Sequence, residues 1–255
     1  MHTIHMGKAA VAALALAFLA GCDTDKDVLP DPTPDPHANT VVAAAMHFFF
    51  GAAGFHLDSN YTDTAGTLLN FDAIKFYMAK PFFLDDVGDT VATFPDKYLL
   101  IDVAEGGTIR TIGELDGHLH IMGCGLGVDV VANHADPTTA PAPLNDATMH
   151  WGWNPAQGYK FLVLEGKYDS DGSGTITGTD MDFSLHCATD AVYTQAEIEV
   201  HTDANSGGNL ILDFNVDIKK ILYNIDVAAQ PFAQGGTPTN VALMHNLSTA
   251  IVHAN

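Results

Sequence analysis

Basic residues are scarce in this chain: 10 lysines and arginines stand against 31 aspartates and glutamates, for a formal net charge of −21. So few cations cannot form the positive face that a phosphate backbone requires, which excludes nucleic-acid binding. The acidic surface suits solubility, cation attraction and docking to a basic partner. Cysteine is also sparse, three in 255 residues, and no CxxC spacing marks a thiolate metal site. Beyond the first 21 residues there is no long apolar run, so no second segment can span a bilayer. GxSxG, HExxH and a phosphate-binding glycine loop are all missing, and the chain reads as a binding protein rather than an enzyme. In so acidic a sequence a pair of carboxylates carries no catalytic signal.

The first residues, MHTIHMGKAAVAALALAFLAGC, combine Lys8 with an apolar run from Ala9 to Ala20. That length fits the core of a signal peptide better than a membrane helix. The ending LAGC resembles a bacterial lipobox, which implies cleavage after residue 21 and lipidation of Cys22. Residues 22–40 continue as an acidic tether with prolines at alternate positions from Pro30 to Pro36, a pattern that favours extended polyproline II. The expected domains are therefore a signal peptide (1–21), a lipidated tether (22–40) and one folded unit (41–255). The expected location is the periplasm or surface of a Gram-negative bacterium, with membrane contact through the lipid alone. Lipidation leaves Cys124 and Cys187, and an exported pair predicts a disulfide.

The folded part alternates between short apolar stretches and turn residues. Strands are predicted at 41–51, 71–85 (with a bulge or edge at Pro81), 96–104, 117–129, 159–168, 180–188, 196–202 and 209–228. The last stretch, NVALMHNLSTAIVHAN, has Val241, Met244, Leu247 and Ile251 near a 3.6-residue period and predicts a helix. The fold class is all-β: an antiparallel β-sandwich with long loops and a short C-terminal helix.

Two stretches point to cations. DSDGSGTITGTD at 169–180 follows the calcium-loop template through Asp169, Asp171, Ser173, the Thr175 carbonyl and Asp180, although its flanks read as strands and not helices. A polar hairpin turn has the same composition. Histidine is the commoner transition-metal ligand, and His118 and His120, two apart on one strand, could chelate copper from one face. Both tryptophans of the chain, Trp151 and Trp153, lie beside His150. At period two they would share a sheet face and anchor the core.

The block GVDVVANHADPTTAPAPLNDATMHWGWNPAQGYKFLVLEG, with FSLHC downstream and KFYMAKPFFLDDVGD upstream, resembles the methanobactin-associated, MbnP-like proteins, also called the metallo-mystery-pair family. The resemblance spans most of residues 41–255. It implies an exported β-sandwich that binds copper, often paired with a dihaem cytochrome c peroxidase-like protein. It makes His134, in NHAD, and His186, in FSLHC, the copper-ligand candidates. In some relatives a tryptophan near copper is oxidised to kynurenine, which here points to Trp151 or Trp153. The sequence departs from the family where CAT follows His186, and in having fewer cysteines than its four-cysteine members.

Overall fold

The computed structural model describes residues 39–106, 108–152, 157–205 and 207–254. The signal peptide, Cys22, the tether through Ala38, and Trp153 lie outside these residues.

The alternating stretches become strands in two sheets. The smaller sheet is built on β1 (Thr40–Phe50), flanked on one side by β12 (Asn209–Asp217) and on the other by β7 (Ile109–Leu115) and the short β2 (Ala53–Gly54). β14 (Ile251–His253) closes its far edge beside β12. The larger sheet is built on β4 (Leu68–Leu84), a 17-residue strand. One edge of β4 carries β3 (Asn60–Thr62), β5 (Thr90–Thr93) and β6 (Tyr98–Asp102). The other carries β8 (Gly117–Leu126) and β9 (Lys160–Tyr168). The inward faces of the two sheets form one core, in which Met46 and Phe214 from the smaller sheet join Phe71, Ile74, Phe76, Leu164 and Phe183 from the larger. Burial of these apolar side chains is the main term favouring the fold.

The registers place β8 and β9 end to end. Leu126 of β8 faces Met78 of β4, and Leu162 of β9 faces Phe76. The next position outward repeats the arrangement. β10 (Met181–Ala188) pairs with β9, and β11 (Thr194–Ala204) pairs with β8. Two neighbouring lines of strand are thus interrupted at the same level. From the inner break the chain leaves for residues 127–159, which include the one-turn helix α1 (Val130–Asn133). From the outer break it leaves only for the tight link 189–193. Gly127, at φ 106°, makes the departure possible: its N–H donates to the Tyr77 carbonyl at 2.9 Å, and a Cβ there would meet the Phe161 ring at 2.4 Å. Tyr77 also holds the excursion down, donating its hydroxyl to the Pro143 carbonyl at 3.1 Å.

The all-β class, the sandwich and the C-terminal helix agree with the sequence, with local differences. Two strand pairs are parallel, β1 with β12 and β10 with β13 (Phe232–Gly235), so the sandwich is not wholly antiparallel. The bulge expected at Pro81 is present: the β4–β8 register shifts between Ala79 and Phe82, with Lys80 at φ 51°. The stretch 209–228 is a strand only to Asp217. There the Asp217 carboxylate accepts the Lys219 N–H at 3.0 Å and caps a helical turn, α2 (Ile218–Ile221). The terminal helix α3 (Pro238–Ala250) begins at a Thr237 cap, and its buried face is Asn240, Leu243, Met244, Leu247 and Ala250. Val241 is exposed, because the face is set by packing against β10, β11 and α2. Trp151 lies outside any strand, so the shared sheet face expected for the two indoles does not form around it.

Cys124 and Cys187 are both buried free thiols, which corrects the expected disulfide. Cys124 faces Ala196 across β8–β11, and Cys187 faces Leu162 across β9–β10. The two sit on opposite sides of the strand break, on the order of 10 Å apart along the strands. A disulfide needs Cα atoms within about 7 Å. Burial pushes the Cys124 thiol up to about 12 and raises Cys187 as well, so both stay protonated and neither suits a thiolate site.

Candidate metal centre

The paired strand breaks open a cavity of about 620 Å³, walled by Asn133, His134, Trp151, Gln157, Ala188, Thr189, Asp190, Gln234 and Gly235. Each wall has a local cause. Asp129 caps α1 by accepting the Val131 N–H at 3.2 Å, and the turn delivers Asn133 and His134 to the rim. Thr189, at φ 80°, bends the chain out of β10 and presents Asp190 opposite them. β13 adds Gln234 by pairing alongside His186.

Asp190 ties the two excursions together. One oxygen accepts from Asn133 Nδ2 at 2.8 Å, and the other lies 2.8 Å from His134 Nε2. The contact with His134, then that with Asn133, holds its carboxyl below the usual range. Asn133 itself is buried, and its Oδ1 accepts the Tyr159 N–H at 2.9 Å. One amide thus fastens α1 both to the start of β9 and to the far wall.

His186, on β10, is buried behind the cavity wall. Trp151 packs on it with ring centroids 5.6 Å apart, and Lys160 Nζ lies 5.1 Å from the Trp151 ring centre. Nε2 of His186 lies 2.6 Å from Glu165 Oε1 and 3.0 Å from Ser184 Oγ, while Nδ1 lies 3.1 Å from Gln234 Oε1 in the cavity wall. A carboxylate behind one ring nitrogen fixes the imidazole, a common arrangement around ligating histidines, and a metal at Nδ1 would take the place of the Gln234 contact. Burial lowers the His186 pKa against the opposing pull of Glu165, so the ring is neutral, the form that binds metals. His134 thus lines the cavity and His186 lies behind two of its walls, Trp151 and Gln234; two imidazoles are donors of the kind that suits copper.

The other residues singled out from the sequence fall in two places. His118 and His120 share a solvent-facing side of β8, far along the strand from the cavity, where they meet His201 and Asp86. In the β9–β10 loop, Asp169, Asp171 and Asp180 bring carboxylate oxygens within 4.8 Å of one another. These carboxylates are already engaged by the loop. Asp180 accepts from the backbone and hydroxyls of Thr177 and Ser170, and Asp169 from the N–H groups of Gly174 and Ser173. Those bonds hold both carboxyls below their usual range. The Ser173 hydroxyl turns inward to the Thr175 carbonyl at 3.1 Å. Sequence reasoning missed Asp190, Glu165, Gln234 and Asn133. Of these only Asn133 had a signal, as the residue before His134 in the NHAD stretch.

A structural match supports the fold: MbnP from Methylosinus trichosporium superimposes with a TM-score of 0.50 at 13% identity, covering 78% of this chain and 82% of that one. No curated protein matches. The MbnP family profile matches residues 42–241, nearly the whole folded unit, and the chain belongs to the MbnP family.

Proposed function

We propose that this MbnP-family protein is an exported copper-binding protein, lipidated at Cys22, whose metal sits in the cavity between His134 and His186. The observation that carries the reading is that His134, from the 127–159 excursion, lines a cavity two of whose walls, Trp151 and Gln234, contact His186 of β10. Two imidazoles suit copper, and neutral His186 needs to lose no proton to bind it. The protein's role is to hold or hand over the ion and not to turn over a substrate. Its acidic surface suits a basic partner, for which a dihaem cytochrome c peroxidase-like protein is the candidate. Trp151, in contact with His186, is the indole placed for oxidation.

Copper titration tests the assignment. Wild-type protein should take up one equivalent at the cavity, and His134→Ala and His186→Ala should each weaken that uptake at least tenfold, on the scale of losing a metal-supporting group. Uptake in both variants equal to wild type would remove the cavity from consideration. An unchanged mass for the peptide spanning residues 150–160, in protein matured with copper and partner, would remove the oxidation.

A second reading, a calcium-stabilised adhesive or structural sandwich without copper, is favoured by the three converging carboxylates of the β9–β10 loop. It requires that millimolar calcium raise the melting temperature and that Asp171→Asn abolish the rise. Asp180→Ala should lower the melting temperature with or without calcium, because Asp180 fastens the loop by itself. Calcium protection without copper uptake would favour this reading over the first.

A further inference from the structure

At the far end of β8 and β11, away from the cavity, three imidazoles surround one carboxylate. We propose that Asp86, His118, His120 and His201 form a second metal site, for a divalent transition ion of the zinc(II) class. The proposal goes beyond the copper reading and does not depend on it.

Each residue is aimed by a separate local device. His118 and His120 project from the same side of β8 at a two-residue spacing. His201 comes from β11 opposite, where the pairing with β8 shifts register between Glu199 and Thr202. This bulge holds His201 at φ 40°, in the left-handed region, and turns its ring back over both neighbours. Its ring centroid lies 5.2 Å from that of His118 and 5.3 Å from that of His120, edge-on to each. Asp86 arrives from the turn joining β4 and β5. In that turn the neighbouring Asp85 accepts the N–H groups of Val87 and Asp89, and Asp86 reaches the histidines.

The distances describe a coordination shell. Ligand atoms of Asp86, His120 and His201 all lie within 4.8 Å of one another. A tetrahedral ion with bonds of about 2.0–2.1 Å needs its ligand atoms about 3.4 Å apart. Asp86 Oδ2 lies 3.3 Å from His118 Nε2, and Asp86 Oδ1 lies 3.8 Å from His201 Nδ1 and 2.7 Å from His120 Nδ1. The most telling atom is His118 Nε2. It is closed off from solvent and faces Asp86 Oδ2 at 3.3 Å. Meanwhile Asp203 holds Nδ1 of the same ring at 2.7 Å. A carboxylate behind one nitrogen is how a ligating histidine is oriented toward its metal, and His118 so held stands beside the converging set of Asp86, His120 and His201. Three imidazoles and a carboxylate are donors of intermediate softness, which suit zinc(II) over calcium or magnesium. The surrounding acidic surface concentrates cations at the site.

Zinc(II) titration by calorimetry on the full chain tests the site, with wild type, His134→Ala/His186→Ala, and His120→Ala/His201→Ala compared. Wild type and the cavity variant should each bind one zinc at this site. The His120→Ala/His201→Ala variant should lose at least a hundredfold in affinity, and Asp203→Asn about ten- to a hundredfold. Asp86→Asn, a single change in an exposed turn, gives the same reading should the double variant fold poorly. The proposal is overturned if His120→Ala/His201→Ala binds zinc as wild type does, if wild type binds none, or if zinc is held only while His134 and His186 are intact. Imidazole sites take copper(II) more tightly than zinc(II), so copper is titrated into His120→Ala/His201→Ala, where uptake reports on the cavity alone and either site can fail alone.

Discussion

Gly166→Ala is expected to destabilise the domain by about 3 kcal/mol or more and to lower its melting temperature by roughly 10 °C. Gly166 lies in β9, between Phe71 of β4 and Phe183 of β10. A Cβ there would stand 2.0 Å from the Asn70 carbonyl oxygen and 2.9 Å from the Phe71 Cα. Both atoms are backbone, so no rotamer change relieves the overlap, and β4 itself would have to move. The β4–β9 register shifts between Phe71 and Ala73, and Gly166 is the residue that lets the two strands close against that irregularity. The Phe71 and Phe183 rings meet edge to face at 5.5 Å, so displacing β4 also disturbs the core. Gly178 provides the control. A Cβ there meets nothing within 4 Å, and Gly178→Ala should change stability by about 0.5 kcal/mol or less. Thermal unfolding of the two variants side by side checks the prediction, and equal melting temperatures would refute it.

Asn133→Ala should affect both stability and the metal cavity. The substitution removes the acceptor of the buried Tyr159 N–H and the donor to Asp190. An unmet buried donor costs about 1–3 kcal/mol, and loss of the bond to a charged group adds to it. A total of about 2–4 kcal/mol is expected, measured as a shift in denaturation midpoint. Gly158 lets the chain pack directly on this amide, since a Cβ there would stand 2.2 Å from the Asn133 Oδ1. Asp190 would keep only His134 as a side-chain partner, and α1 would lose its tie to β9. Copper uptake should therefore weaken along with stability, although Asn133 is not proposed as a ligand. Copper affinity unchanged in a destabilised variant would show that α1 does not position His134.

Much of the architecture was legible because strand alternation is a local property. The stretches around 41–51, 71–85, 159–168 and 180–188 matched their strands closely, since burying one face of a sheet writes a period of two into the residues themselves. The short strands β2, β3, β5, β13 and β14 carry too few residues for that signal, and β7 buries only Ile112 and Leu115 of its seven. The stretch after Asp217 misled because Ile218, Ile221 and Leu222 are as apolar as a strand core, while one carboxylate cap decided for helix. At the cavity, His134 and His186 were found through family resemblance, since spacing alone made them a loop histidine and a strand histidine. His118 and His120 were found by spacing, but His201 and Asp86 were not. The bulge that turns His201 inward depends on its pairing with β8, some eighty residues earlier in the sequence.

The sequence by itself determined the all-β class, the helix near the C-terminus and the likeness to the MbnP family, all of which rest on local periodicity or an ordered motif. Only the tertiary structure decided which side chains meet. It set Cys124 and Cys187 apart, joined Asn133, His134 and Asp190 across two strand breaks, laid Trp151 on His186, and gathered three histidines around Asp86. The reason is register. A strand's alternation fixes which face each side chain takes, but its neighbours across the sheet depend on the pairing of distant segments, and a single bulge or break changes them.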